Sequence, residues 1–176
     1  MDFAIPVLWI HLAAIVTWVG LWFNTLFVFN SVRQYIDEAA KVKFIETYRK
    51  RYLMITWAAI AVFIITGTIL METNENYPGL GHFFASSWAT LVFIKHVVVI
   101  LMLIISLTLL YGTLPKLKDA IAAKDKGLEA RLMSRERLAQ ISLAVLGLAV
   151  ILIIVMAAEL QAPEETTAWL SLVSIF

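Results

Sequence analysis

The sequence predicts an all-α integral membrane protein, a four-helix bundle that forms one transmembrane domain over residues 1–176. Of its 176 residues, 61% are hydrophobic, well above the roughly 45–50% apolar content of soluble domains. Four apolar runs reach the ~20 residues that a helix needs to cross the hydrocarbon core of a bilayer. The spans are expected at about 3–29, 53–71, 88–114 and 138–160.

The first run is predicted to be a retained helix. It begins MDFAIPVLWIHLAAIV, with neither a basic stretch at its start nor a small-residue cleavage site, so it does not resemble a signal peptide. The next three runs are bounded by charged or Gly/Pro-containing segments and complete the bundle.

The loop charges predict the orientation of the bundle. Of the 14 lysines and arginines, every one except Lys95 lies in the loops that follow the first and third spans. Because cytoplasmic loops carry the excess of positive charge, both termini and the loop NENYPGLGHF are expected on the outer side of the cell inner membrane.

The two basic loops are predicted to continue the spans as helices, with a break at Gly127 in the second loop. Such a stretch is more typical of a segment on an anionic membrane surface than of a nucleic-acid site, and no nucleic-acid partner is expected. After Pro163, apolar residues recur at helical spacing. This tail is predicted to be a short C-terminal interfacial segment or a docking surface for a partner.

Two histidines are placed at matching depths in parallel spans. His11 follows Phe3 by eight residues and His96 follows Trp88 by eight, so both are expected in the outer half of the membrane. Two neutral imidazoles at one level can ligate a haem iron from opposite faces. The alternative is that each histidine only bonds a carbonyl or hydroxyl group in the bundle.

Haem b is therefore the expected cofactor, with His11 and His96 as axial ligands. The chain has no cysteine, so thiolate ligands are excluded. Trp18 shares the face of His11 and could flank a porphyrin. Lys95 points about 100° away from His96 around the helix. It could pair with a propionate or an acidic substrate, donate a proton or be an axial ligand, or it could extend to the outer interface.

Three segments resemble the successive helices of the HemJ-type membrane protoporphyrinogen oxidases and the related CopD-like superfamily. They are IHLAAIVTWVGLWFNTLFVF, FIETYRKRYLMITWAAIAVFIITGTILM and WATLVFIKHVVVILML, and the matching residues are His11, Trp18, Gly20, Glu46, Arg49, Gly67, Leu70 and Lys95. The resemblance covers about residues 10–110. It implies a haem b held by His11 and Lys95, which leaves Lys95 and His96 as competing second ligands.

The chain departs from this family at two places. Where the first helix normally ends with an Arg and a Tyr-His pair, it has Asn24, Thr25, Phe29 and Asn30. The third helix lacks the family's following Tyr-His. These departures favour a haem b electron-transfer protein, such as a subunit of a larger respiratory complex, over an oxidoreductase of the protoporphyrinogen oxidase type. A porphyrinogen or a quinol would be the electron donor.

Two other functions stay open. In a CopD-like copper transport protein, Met71, His82, Met156 and His11 would pass the metal inward, because thioether and imidazole groups suit copper. The third interpretation is a structural membrane subunit that binds no cofactor.

Overall fold

The computed structural model describes residues 3–79 and 81–160, and within these ranges the chain forms helices and no strand. Four helices are long and apolar enough to cross a membrane, which confirms the predicted fold class. They run over Ala4–Arg33, Glu38–Glu72, Ser87–Ala122 and Lys126–Glu159. The predicted C-terminal interfacial segment after Pro163 lies outside the described residues.

The helices extend beyond the apolar runs because the basic loops continue them, as expected. The break in the second loop is not at Gly127, however, and that prediction is wrong. The chain turns at residues 123–125, where Lys124 has a φ of 56°. The side chain of Asp125 then accepts a hydrogen bond from the backbone N–H of Leu128. This N-cap begins the fourth helix ahead of Gly127.

The outer surface of the bundle is strongly apolar. Phe27, Ile64 and Leu138 leave 66%, 65% and 67% of their surface exposed. Burying apolar surface is worth roughly 25 cal/mol per Å², so such a surface would be costly in water and is favourable against lipid. The exposed apolar surface of the four helices therefore agrees with the membrane environment that the composition predicts.

The first helix packs against the second and the fourth, and residues Ser87–Leu107 of the third helix pack against the fourth. At Gly147, an added Cβ would lie 2.7 Å from Cγ1 of Val19. Only glycine allows the first and fourth helices to come this near. The C-terminal part of the third helix, Leu114–Ala122, contacts the second helix, which closes the bundle on that side.

Wide π-helical turns interrupt the first and third helices towards their C-terminal ends, at Thr25–Phe29 and Thr108–Thr113. A π turn inserts one residue into the helical repeat and is frequent at functional sites. In the first helix, Thr25 is buried at the start of the turn and Arg33 is buried after it. The turn thus lets both polar side chains face the core.

Candidate functional site

His11 is held by a hydroxyl group on the neighbouring helix. Its Nδ1 lies 2.7 Å from Oγ1 of Thr66. The single hydroxyl hydrogen of Thr66 is donated to the carbonyl of Val62 in its own helix, so the Thr66 oxygen must accept from His11. A neutral His11 therefore carries its proton on Nδ1 and leaves the Nε2 lone pair available.

The imidazole of His11 packs against the second helix. A Cβ at Gly67 would lie 3.6 Å from Cε1 of His11, an ordinary van der Waals distance. Phe63, one turn earlier, meets the imidazole edge-on at a centroid distance of 5.6 Å. Packing and hydrogen bonding together fix the direction in which Nε2 points.

His96 has the same tautomer for a different reason. Its Nδ1 lies 2.6 Å from the carbonyl oxygen of Val92, which can only accept, so Nδ1 carries the proton here too. The side chain is exposed at the bundle surface. Its Nε2 has no hydrogen-bond partner among the described residues and is free to bind a metal or another group.

Lys95 is half-buried and makes no ion pair or hydrogen bond with the described part of the chain. Lys95 and His96 lie on Ser87–Leu107, which packs mainly against the fourth helix, whereas His11 lies on Ala4–Asn24, which packs mainly against the second. That His11, Lys95 and His96 form one site stays a prediction. Among the described residues, no direct hydrogen bond joins any two of them.

Trp18, the fourth predicted residue, is 2% exposed. Its ring meets Phe63 edge-on, with centroids 5.8 Å apart. Because Phe63 also meets His11 edge-on, its ring links the imidazole to the buried indole of Trp18. The indole Nε1 of Trp18 has no hydrogen-bond partner in the described chain.

Few of the described side chains could bind a metal ion. Within residues 3–79 and 81–160 there is no group of three or more histidine, cysteine, aspartate or glutamate side chains that could hold a metal ion. The imidazoles of His11 and His96 would thus supply part of a coordination shell. Of the other residues in the predicted copper route, Met156 and His82 are exposed and Met71 is half-buried.

A second polar cluster, at the opposite end of the bundle, was missed by the sequence reasoning. Nη1 of Arg33 donates to both carboxylate oxygens of Glu136, at 3.0 and 2.7 Å. Gln140 donates to Glu136 and accepts from Asn30, at 3.0 and 2.7 Å. We call Asn30, Arg33, Glu136 and Gln140 the inner network. In the sequence, Arg33 and Glu136 lie in the basic loops. Their positions close to the ends of the first and fourth apolar runs are the only sign that they could be buried.

Comparison with known proteins places the fold in a family. The family model for copper resistance protein D (CopD) matches residues 46–158, which is more than half of the 176 residues. Neither the search of curated proteins nor that of solved structures found a match. The matched range includes Thr66, Lys95 and His96, whereas His11 precedes it. Together with the four apolar helices, the match indicates a multi-pass membrane protein, and the chain belongs to the copper resistance protein D family.

Proposed function

We propose that this protein handles copper at the membrane, with Nε2 of His11 as the principal protein ligand and Nε2 of His96 as the second. The observation that carries the proposal is the bond between His11 and Thr66. Metal-binding histidines characteristically donate their other ring N–H to a fixed acceptor, which sets the tautomer and raises the basicity of the ligating nitrogen.

Copper is the metal favoured by the family match over residues 46–158 and by the chemistry of the donors. Imidazole nitrogens bind copper well, and thioethers select its reduced form. In the neutral form both histidines present the same nitrogen, Nε2, since each Nδ1–H is already committed. Copper is the cargo of this site, and solvent or a methionine would complete its coordination.

The orientation inferred from the loops supports uptake from the outer side. With the basic loops on the cytoplasmic side of the cell inner membrane, His11, Lys95 and His96 would lie in the outer half of the bilayer. A metal arriving from outside would reach His11 before the middle of the bundle.

The test is copper binding by the purified full chain in lipid nanodiscs, measured by competition with a chromophoric chelator. We expect one copper ion per chain, lost in His11→Ala and weakened in His96→Ala. His82→Ala, which removes the exposed loop imidazole, is the matched control and should bind normally. Equal copper binding by wild type and His11→Ala would overturn the proposal.

A haem b redox protein is the second candidate, because the imidazole of His11 is fixed by Thr66 and lies against Phe63, which in turn meets Trp18. His11 would hold the iron with either His96 or Lys95, and bound haem would supply one-electron chemistry. In a HemJ-type function, the donor would be a porphyrinogen or a quinol, and partner membrane subunits would accept the electrons.

Absorption spectroscopy separates the candidates. A dithionite-reducible Soret band that is lost in His11→Ala would establish haem and would overturn copper as the main function. Loss of the band in Lys95→Ala but not in His96→Ala would assign the second ligand to lysine. If the protein is colourless and also binds no copper, the third interpretation, a structural membrane subunit without a cofactor, would be favoured.

A further inference from the structure

One face of the first helix is exposed although its side chains are small or polar. The residues on this face recur at spacings of three and four, and we call them the small-residue face: Ala13, Thr17, Gly20 and Asn24. The buried Ile15 and Trp22 of the same helix lie roughly 140–160° around the helix from Thr17. The small-residue face therefore points away from the bundle core.

This face differs from the exposed surface of the fourth helix. From Leu138 to Met156, every exposed residue of that helix is a leucine, isoleucine, valine or methionine. Small residues in membrane helices are instead enriched where two helices approach closely. The bundle itself does not require glycine at position 20, since a Cβ on Gly20 would meet nothing within 4 Å. The small-residue face is thus typical of a helix contact that one chain alone does not make.

Asn24 gives the small-residue face a polar group without a partner. It is exposed, and its side-chain amide makes no hydrogen bond within residues 3–79 and 81–160. Arg33 lies nine residues further along the chain, which is about 14 Å of helix, so Asn24 falls within the ~30 Å hydrocarbon core. Its side chain is too short to reach water from this depth. An amide left unpaired in lipid costs free energy, and a partner from outside the chain would remove that cost.

Thr17 adds a hydroxyl group on the same side of the helix. Seven residues separate it from Asn24, which places the two side chains about 20° apart around the helix axis. The exposed Thr68 of the second helix donates its hydroxyl to the carbonyl of Ile64, whereas the Thr17 hydroxyl has no partner among the described residues. Both polar groups of the small-residue face are therefore available to another chain.

A second copy of this chain would satisfy Asn24 by symmetry. The basic loops bias every copy towards one orientation in the membrane, so equivalent residues of two copies lie at the same depth. A two-fold axis along the membrane normal then brings Asn24 against its equivalent. A primary amide has both donor hydrogens and an acceptor oxygen, so each of the two amides can donate to the other. A different subunit would need a matching polar group at that depth, whereas a second copy always has one.

We propose that two copies of the chain associate in the membrane through the small-residue face, with the two Asn24 amides paired at the two-fold axis. The interface is isologous, because the same surface of both copies forms it. Ala13 and Gly20 let the two first helices approach closely, and the amides supply hydrogen bonds between them.

The interface is separate from the candidate copper site. His11 lies about 120° around the first helix from Thr17, and its imidazole bonds Thr66 of its own chain. Association through the small-residue face would leave each copy with its own histidine site. The inference therefore goes beyond the proposed function and stands whether or not the protein binds copper.

Förster energy transfer between copies of the full chain in proteoliposomes tests the association. The chain has no cysteine, so Glu75→Cys, at an exposed position, gives one labelling site for a donor or an acceptor dye. We expect transfer that rises linearly with the acceptor fraction, as for a dimer, and falls when more lipid is added. Transfer no greater than random proximity gives, or a non-linear dependence on the acceptor fraction, would overturn the proposal.

Three further variants assign the association to the small-residue face. Asn24→Leu removes the paired amides and should weaken the dimer by about 3–30-fold, the effect of interhelical hydrogen bonds in membranes. Ala13→Leu obstructs the close approach of the helices and should also weaken it. Ala61→Leu is the matched control, because Ala61 is exposed on the second helix, and it should associate as the wild type does. Equal association in all three variants would overturn this face as the interface.

Disulfide cross-linking in native membranes identifies the occupant of the face without depending on those variants. Thr17→Cys places a thiol where the two-fold axis brings it near its equivalent, and added oxidant should give a covalent dimer of the chain. Thr68→Cys, at an exposed position of the second helix, is the control and should stay monomeric. Equal cross-linking at both positions would indicate random collision and overturn the proposal. Capture of a protein of another size through Thr17→Cys, in place of a second copy, would overturn it as well.

Discussion

Thr66 accepts a hydrogen bond from Nδ1 of His11 across 2.7 Å, and this contact joins the first helix to the second at the candidate site. Thr66 itself bonds back to the carbonyl of Val62. The orientation of the imidazole therefore depends on a hydroxyl group that is not itself one of the proposed metal ligands.

Thr66→Val is expected to weaken copper binding without removing a ligand. Valine keeps the shape of threonine but cannot accept the Nδ1–H, and loss of such a supporting partner typically costs about 10–100-fold in metal affinity. Chelator competition in nanodiscs measures the change, and Thr68→Val controls for loss of a threonine from the same helix. Wild-type affinity in Thr66→Val would show that the hydroxyl does not position the ligand.

Gly147→Ala is expected to destabilise the bundle. The added methyl would lie 2.7 Å from Cγ1 of Val19, which forces the first and fourth helices apart, and overpacking of this kind costs about 1–3 kcal/mol. Thermal unfolding in detergent, followed by tryptophan fluorescence, should show a lower midpoint.

Two further variants test whether the contact with Val19 causes the lower unfolding midpoint of Gly147→Ala. Gly20→Ala adds its methyl where nothing lies within 4 Å and should leave the midpoint unchanged or raise it. Val19→Ala combined with Gly147→Ala relieves the clash and should recover part of the stability. If the double variant is no more stable than Gly147→Ala alone, the clash with Val19 is not the cause.

Glu136→Leu is expected to be more harmful alone than together with Arg33→Met. The single change leaves the buried Arg33 guanidinium without its carboxylate, and breaking a buried pair in this way costs about 3–5 kcal/mol. Replacing both partners by apolar side chains removes the unpaired charge. Glu46→Gln, which breaks an exposed pair with Lys50, should change stability by about 0–1 kcal/mol. Unfolding midpoints measure all three, and equal losses in the single and double variants would contradict the argument.

The four helices were predictable because each apolar run is long enough to determine its own structure in a bilayer. His11, Lys95 and His96 were identifiable for the same reason, since an ionisable residue inside such a run is costly and conspicuous. Their proximity to one another and the ligand roles assigned to them remain predictions.

The partners of these residues could not be predicted in the same way. Which hydroxyl meets His11 depends on how the second helix is rotated about its axis, and several threonines in that helix were equally available. Arg33 and Glu136 are 103 positions apart and both lie near span ends, where charged residues are ordinarily solvated. Their pairing depends on the close approach of the first and fourth helices, which hydropathy does not encode.

The orientation of the chain can be tested directly because the sequence contains no cysteine. Single variants Glu75→Cys, in the outer loop, and Lys124→Cys, in the turn between the third and fourth helices, each introduce one thiol at an exposed position. A membrane-impermeant maleimide should label the first variant in intact cells and the second only after the membrane is permeabilised. The bias of 13 inner cations out of 14 is strong enough that we expect no mixed population. The reverse labelling pattern would invert the bundle, place His11 in the inner half of the bilayer and turn the proposed direction of copper movement from uptake to export.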